Sequence, residues 1–166
     1  MLTSSQSPQN ELDTLLAQEE RLQFEHFDFD VAWALGCFMV ELARSRSLGV
    51  AIAIRRNGQR LFHAALPGAT ADNDEWIERK SRVVDRFAHS SRYMGALMES
   101  PENNAAGVTF EQNFRLDPLR FAAHGGAFPV IVRGSGMIGT VTVSGLPQLE
   151  DHAFIVEALG RFLSDL

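Results

Sequence analysis

The spacing of hydrophobic residues near the N-terminus predicts one helix followed by one strand. Leu12, Leu15 and Leu16 recur at helical spacing and indicate a short amphipathic helix. Polar and apolar residues then alternate over positions 21–27, which predicts an edge strand. Residues 1–9 are polar and show no hydrophobic period, so we expect a disordered tail and an ordered chain from about residue 10.

Three further helices are predicted from apolar stripes and capping residues. Asp28 or Asp30 can cap a helix that continues to about Arg46. A capping-box pattern at residues 72–75 starts a long helix that we expect to end near residue 98. Pro147 begins a last helix, with acidic residues in its first turn.

Two hairpins supply the predicted strands. Asn57-Gly58 is a strong two-residue turn signal, and Gly134-Ser135-Gly136 separates a second pair of apolar runs. The four predicted strands are residues 49–56, 60–65, 127–133 and 137–144. Residues 99–118 show little periodicity and are expected to be mostly loop. This order predicts one α+β domain over residues 10–166, with an antiparallel sheet and helices packed against it.

Composition excludes several classes of partner. The net charge is −6 and no long Lys/Arg run is present, so nucleic acid is not an expected partner. No apolar stretch approaches the roughly 20 residues of a membrane span, and the N-terminus lacks the features of a secretory signal. The single cysteine, Cys37, agrees with a reducing compartment, and we expect a cytoplasmic protein in which this thiol is packed.

Lys80 is the most informative candidate for chemistry. Trp76, Val83, Val84 and Phe87 define an apolar face of the long helix, and Lys80 falls in the middle of it. One interpretation is that the ammonium escapes along the helix to water. The other is a cation in a pocket, which would bind a carboxylate or phosphate or transfer a proton.

Two glycine-containing turns are candidates for anion binding. Gly125 and Gly126 follow His124 and could present backbone N–H groups to a ligand, or simply form the bend that enters the strand. Ser144-Gly145 leads into the N-terminus of the last helix, where an anion is favoured, although ordinary capping explains the same residues.

The histidines do not form a recognisable metal-binding pattern. His124 and His152 could approach the glycine turns, but neither belongs to a compact ligand motif, so a structural metal site is not expected. His63 and His89 are expected on the surface or in a hairpin, outside the site.

Together, these motifs resemble a known family. The resemblance lies in four stretches: Asn73-Asp74-Glu75-Trp76 with Arg79-Lys80, the run from His124 to Val130, Val143 to Pro147, and Asp151-His152. They are similar to the GlcG/HbpS-like, or haem-degrading domain, family, in its branch of small cytosolic proteins. The resemblance implies a profilin-like fold, homo-oligomers and, for some members, haem binding or degradation. It suggests a pocket formed by Trp76, Lys80, His124, Gly125, Gly126, Ser144, Gly145 and His152.

Three functional hypotheses follow from these residues. The first is a homo-oligomeric binding protein for a small anionic molecule, with haem as the candidate from the resemblance and His124 as its first suspected axial ligand. The second is an enzyme that uses Lys80 or a histidine to move a proton on a small organic acid. The third is a non-catalytic protein-interaction scaffold that binds no ligand.

Overall fold

A four-stranded antiparallel sheet lies at the centre of the computed structural model, which describes residues 8–166. The strands are β1 (Ala51–Arg56), β2 (Gln59–Ala65), β3 (Ala127–Val132) and β4 (Gly136–Ser144), in the order β2-β1-β4-β3. The helices are α1 (Pro8–Arg21), α2 (Phe29–Ser45), α3 (Ala71–Phe87), α4 (Ser91–Glu99), α5 (Phe110–Phe114) and α6 (Gln148–Ser164). The predicted α+β class and both hairpins are confirmed.

The two faces of the sheet carry different side chains, because successive residues of a strand point to opposite sides. Ile52 and Ile54 of β1 belong to the main core, which includes buried residues of α2 and α6. Ala51 and Ala53 point the other way and pack with Ile77 of α3. Small side chains on this second face let α3 lie close to the sheet, which brings its polar residues near the strand backbones.

Residues 21–27 do not form the predicted edge strand. Helix α1 continues to Arg21, and Phe24 then makes one isolated parallel bridge with Val132 of β3. The alternation that suggested a strand reflects burial instead, because Leu22, Phe24 and Phe27 all enter the main core. The alternating pattern therefore indicated which side chains are buried, not a ladder of backbone hydrogen bonds.

The predicted long helix is two helices. Helix α3 ends at Phe87, and Ala88 takes a left-handed conformation with φ of 58°. Ser90 then starts α4, where its hydroxyl accepts the backbone N–H of Tyr93 at 3.2 Å. The junction contains neither glycine nor proline, so the usual sequence signals for a helix end are missing.

Two further predictions differ from the structure in the extent of helix. Within the predicted loop at 99–118, residues 110–114 form the short helix α5. Helix α1 begins at Pro8, so Pro8 and Gln9 of the expected tail are helical, and the expected disorder of residues 1–7 lies outside the described part of the chain. None of the helices within residues 8–166 combines the length and the apolar character needed to cross a membrane.

Candidate functional site

A pocket of about 210 Å³ lies between the N-terminal half of α3 and the turn from β4 into α6. Six of the eight predicted site residues line it: Trp76, Lys80, His124, Gly125, Ser144 and Gly145. The structure therefore brings together side chains from α3, the segment before β3, the end of β4 and the start of α6. This pocket is the candidate site.

Lys80 is buried beneath this pocket and does not reach bulk water. Only 3% of its surface is exposed, so the interpretation in which its ammonium escapes to solvent is wrong. Its Nζ donates to the carbonyl oxygens of Gly125 at 3.1 Å and Val143 at 2.6 Å, and to Oδ2 of Asp151 at 3.1 Å. An ammonium has three N–H donors, so these three protein acceptors use all of them.

Lys80 and Asp151 form a buried ion pair whose members have shifted pKa values. Burial lowers the pKa of Lys80, and the adjacent Asp151 carboxylate partly opposes this effect. Burial likewise raises the pKa of Asp151, against the influence of Lys80 and of backbone N–H groups. Desolvation disfavours the charged form of each group, while the short distance between them favours it. The charges compensate each other, so Lys80 brings little net positive charge to the pocket.

The paired glycines allow the chain to pass close to this ion pair. A Cβ on Gly125 would collide with the carbonyl of Gln148, and one on Gly126 would collide with Nζ of Lys80. Gly126 also has φ of 124°, which disfavours other residues. The N–H of Gly125 donates to Oε1 of Gln148 at 3.0 Å, so this group of the predicted anion-binding turn is already used by the protein.

The N-terminus of α6 faces the pocket through the turn that precedes it. Gly145, Leu146 and Gln148 line the pocket, and the N-cap residue, Pro147, makes no side-chain capping hydrogen bond. The N–H of Leu146 donates to Oδ1 of Asp151 at 3.0 Å. The pocket therefore lies beside the positive end of a 17-residue helix, where anions are stabilised, and the Asp151 carboxylate already accepts N–H groups of the preceding turn.

Aromatic rings form one wall of the pocket. The rings of Trp76 and His124 lie 5.2 Å apart between centroids, and the guanidinium of Arg79 is 4.3 Å from the centre of the Trp76 ring. Partial burial of the imidazole, and then the positive charge of Arg79, lower the pKa of His124 below its ordinary value. Its imidazole is thus neutral at pH 7 and can donate or accept a hydrogen bond.

His152, like Gly126, is a predicted site residue that does not line the pocket. It is 6% exposed, its Nε2 is 2.8 Å from Oε1 of Gln18, and its buried Nδ1 has no hydrogen-bond partner within the described residues. Burial, and then the charge of Arg92, lower its pKa to about 4. His152 is a neutral core residue that joins α6 to α1.

Five residues that line the pocket were missing from the predicted site: Asp72, Asn73, Leu146, Gln148 and Asp151. The acidic pair at the start of α6 suggested only a favourable interaction with the helix dipole. Asp151 lies three residues after Gln148 on α6, and its carboxylate turns inward to Lys80. The one sequence signal for Asp151 was the lysine on the apolar face of α3, because a buried cation needs a compensating negative charge.

The other histidines and the cysteine lie outside this pocket. His63 pairs with Asp74 at 2.6 Å, and His89 pairs with Glu19 at 2.7 Å. Cys37 is half-buried on α2. Within residues 8–166, no group of three or more His, Cys, Asp or Glu side chains is arranged to hold a metal ion.

Fold and pocket together define a class of α+β proteins in which a helix across an antiparallel sheet carries a buried lysine beneath a small polar pocket. A model of the family described as "Haem degrading protein HbpS-like" matches residues 27–160, and the chain belongs to this family. The predicted resemblance is therefore confirmed. The UPF0303 proteins of Streptomyces avermitilis and Paraburkholderia phymatum are 58% and 47% identical to it, each over 150 residues that cover 90% of this chain and 89% and 88% of the relatives.

Solved structures show the same fold. The Ybr137w protein is 33% identical, with a TM-score of 0.84 over 93% of this chain and 88% of that one. HbpS, at 21% identity, has a TM-score of 0.63 over 85% of this chain and 92% of its own. A complex of PduOC with haem, at 18% identity, has a TM-score of 0.65 over 81% of this chain and 93% of that chain. The last two similarities concern the fold alone.

Proposed function

We propose that this protein binds a small anionic molecule in the pocket between α3 and α6. The observation that carries the proposal is a polar pocket beside the N-terminus of α6, where Pro147 makes no side-chain capping hydrogen bond. Neutral His124 adds a hydrogen-bonding group to the same pocket, whereas the Asn73 amide is already hydrogen-bonded to the N–H of Thr70 and to Oγ of Ser144. Lys80 supports the pocket from below and holds its backbone in place.

The size of the pocket limits the ligand. Its volume of about 210 Å³ is smaller than the roughly 300–1,000 Å³ of sites that enclose drug-sized molecules. A small carboxylic acid or inorganic phosphate is compatible with this volume. We expect weak to moderate affinity for either, since few atoms can make contact.

A charge added inside the pocket tests the proposal. Gln148→Glu keeps the acceptor for the Gly125 N–H but places a carboxylate where the anion would bind, so acetate and phosphate affinity should fall at least about tenfold. Leu149→Glu adds the same charge to the same helix turn, on a side chain that is 58% exposed, and should change affinity less.

The measurement is an NMR titration of ¹⁵N-labelled protein with acetate and with phosphate, following the backbone signals of residues 145–148. Saturable shifts in these signals that weaken only in Gln148→Glu would support the proposal. Equal affinity in both variants, or shifts confined to other regions, would contradict it.

Haem is a second candidate, favoured by one specific side chain. His124 is exposed, its lowered pKa leaves the imidazole neutral, and no hydrogen bond to its ring is present within residues 8–166. These are properties of an axial ligand. The pocket itself does not fit haem, however, because its volume is too small and the N–H groups of Lys80 are not free to bind a propionate.

Haemin titration of the metal-free protein, followed by the Soret band, tests this candidate. Haem ligation by His124 predicts a saturable, stoichiometric shift that is lost in His124→Ala. His26→Ala is the matched control, since it removes an exposed histidine away from the pocket. A nonsaturating shift, or one of equal size in both variants, would exclude ligation by His124.

The enzyme hypothesis rests on the same buried pair. Lys80 and Asp151 have pKa values moved toward each other, which suits proton transfer. Each side chain is only 3% exposed, and the ammonium is fully hydrogen-bonded by the protein. The contacts therefore favour a structural pair that shapes a binding pocket over a proton donor to substrate.

Self-association is the last part of the proposal, and an exposed apolar surface supports it. Phe29 and Trp33, on the first turns of α2, are 58% and 64% exposed, and the Trp33 ring contacts Phe62 of the outer strand β2. We name the surface formed by these residues with Glu41, Arg44 and Leu61 the α2–β2 face. It carries charges of both signs, so a second copy related by a two-fold axis can pair Glu41 with Arg44. A scaffold role would use this face without any ligand.

A further inference from the structure

A second pocket lies on the other side of His124. It has a volume of about 300 Å³ and is formed by the end of α4, the start of α5 and the segment that leads into β3. Its walls include the apolar side chains of Met98, Val108, Phe110 and Ala123. It is therefore less polar than the candidate site, which is lined by acids, amides and backbone groups.

His124 is the residue that the two pockets share. Its ring packs on Trp76 in the candidate site, and its other side faces the apolar pocket. Because no hydrogen bond within the described residues holds the ring, a small rotation of this side chain would join the two spaces. With volumes of about 210 and 300 Å³, the two together lie within the usual range of small-molecule sites, whereas the first alone is below that range and the second is at its lower limit.

We propose that the two pockets form one amphipathic site, in which the ligand is a monocarboxylic acid with its carboxylate at the N-terminus of α6 and its apolar body in the second pocket. This inference rests on the proposed anion-binding function and adds the class of ligand. The polar pocket would recognise the acid group, and the apolar pocket would select the length and shape of the remainder.

Charges around the second pocket favour one acid group over two. Glu99 and Glu111 both line this pocket. Glu99 pairs with Arg92, whose Nη2 is 2.7 Å from its carboxylate, but the same guanidinium also pairs with Glu11, and Glu111 has no basic partner within residues 8–166. A second carboxylate on the ligand would therefore lie near an uncompensated negative charge. A dicarboxylate should bind more weakly than a monocarboxylate of equal length.

The test is a chain-length series of acetate, butanoate, hexanoate and octanoate, with adipate as the dicarboxylate. The protein has two tryptophans, so Trp33→Phe, which keeps an aromatic ring on the α2–β2 face and lies outside both pockets, leaves Trp76 as the only tryptophan reporter of binding. Fluorescence titrations in this background should show affinity rising up to about fourfold for each methylene that becomes buried. Adipate should bind at least about tenfold more weakly than hexanoate.

Val108 provides the variants, because its side chain lines only the second pocket. Val108→Phe fills the space and Val108→Asp makes it polar, and both should remove the chain-length gain while acetate still binds. Leu119→Asp, at a side chain that is 82% exposed on a nearby loop, is the control for added charge. Thermal unfolding of each variant establishes that it is folded, and the Met98 methyl signal should shift with hexanoate but not with acetate.

The outcomes separate this inference from the proposed function. Equal affinity for acetate and octanoate, or a chain-length gain that survives both Val108 variants, would overturn the second pocket as the apolar subsite and leave anion binding intact. Absence of binding by every acid, including acetate, would overturn both proposals.

Discussion

Lys80 illustrates how one buried side chain can organise a pocket without being the group that meets the ligand. Its ammonium connects α3 to the strand β4, to the segment before β3 and to Asp151 on α6. All three contacts cross between elements that are far apart in sequence. Removing the charge would therefore affect folding before it affected recognition.

Lys80→Met should lower the free energy of unfolding by about 3–5 kcal/mol, because it leaves the Asp151 carboxylate buried without a partner. The double variant Lys80→Met/Asp151→Leu should recover much of this loss, because neither charge remains. Urea unfolding of the two single variants and the double variant measures the coupling. Additive losses in the double variant would show that the pair does not act as a unit.

His152 predicts an acid-sensitive stability. Its folded-state pKa of about 4 lies below the ordinary 6.5, so the unfolded chain binds a proton more readily. The stabilising contribution is present above pH 6.5 and is lost as the pH falls toward 4, by roughly 3 kcal/mol in total. His152→Gln should show a shallower decline in unfolding free energy over this range, measured by denaturant unfolding at pH 7, 6, 5 and 4. Parallel declines would contradict the assignment.

Only part of the site was predictable at the residue scale. The apolar face of α3 indicated that Lys80 points inward, and the glycine motifs indicated close backbone approach. The partner Asp151 was missed because an acid in the first turn of a helix already has an ordinary explanation. His152 was included because it could approach the glycine turns and belongs to the motifs of the family resemblance, but adjacent helical residues point in different directions, so it enters the core beside Gln18.

The elements of the sheet followed their local patterns closely, whereas the α3–α4 junction did not. Both hairpins have strong turn signals, and α2 begins where Asp28 caps the N–H of Val31 at 2.9 Å. The break at Ala88 depends instead on tertiary contacts, because Glu19 of α1 accepts the N–H of Ser90 at 2.7 Å and thereby fixes the start of α4. A contact with a distant helix leaves no signal within the local sequence.

Ala88→Gly should stabilise the protein at this junction. Ala88 has φ of 58°, where glycine is at no steric disadvantage, so the free energy of unfolding should rise by about 1 kcal/mol. Ala153→Gly, at an exposed position within α6, should instead lower it by about 1 kcal/mol. Thermal or denaturant unfolding compares the two variants. Equal destabilisation by both would show that the left-handed conformation carries no strain.

At the scale of the whole molecule, the α2–β2 face exposes two large aromatic side chains, Phe29 and Trp33, that an interface would bury. Exposed aromatic residues contribute strongly when an interface buries them, and Trp is prominent among such residues. Trp33 also contacts the Phe62 ring, with centroids 5.7 Å apart, so its position is supported by the sheet. The face is thus preformed and needs little ordering on association.

Trp33→Asp should weaken self-association at least about tenfold, because it places a charge in the centre of this apolar face. Leu119→Asp introduces the same charge at an exposed leucine elsewhere and should leave assembly unchanged. Sedimentation over a range of protein concentrations measures both. An unchanged oligomer in Trp33→Asp would exclude the α2–β2 face as the contact, and a monomer in the unmodified protein would remove the proposal of self-association.

The two outer strands of the sheet also differ in a way that limits how copies can join. Beside β3, Phe24 donates its N–H to Ile131 at 2.8 Å and accepts the N–H of Arg133 at 2.9 Å, so part of that edge is covered. Strand β2 pairs with β1 alone within the described residues. Continuous sheet extension from copy to copy requires two fully open edges, and within the described residues only β2 offers one. Two copies that pair through their β2 edges would therefore form a dimer that cannot extend further, which protects the protein from growing into fibres.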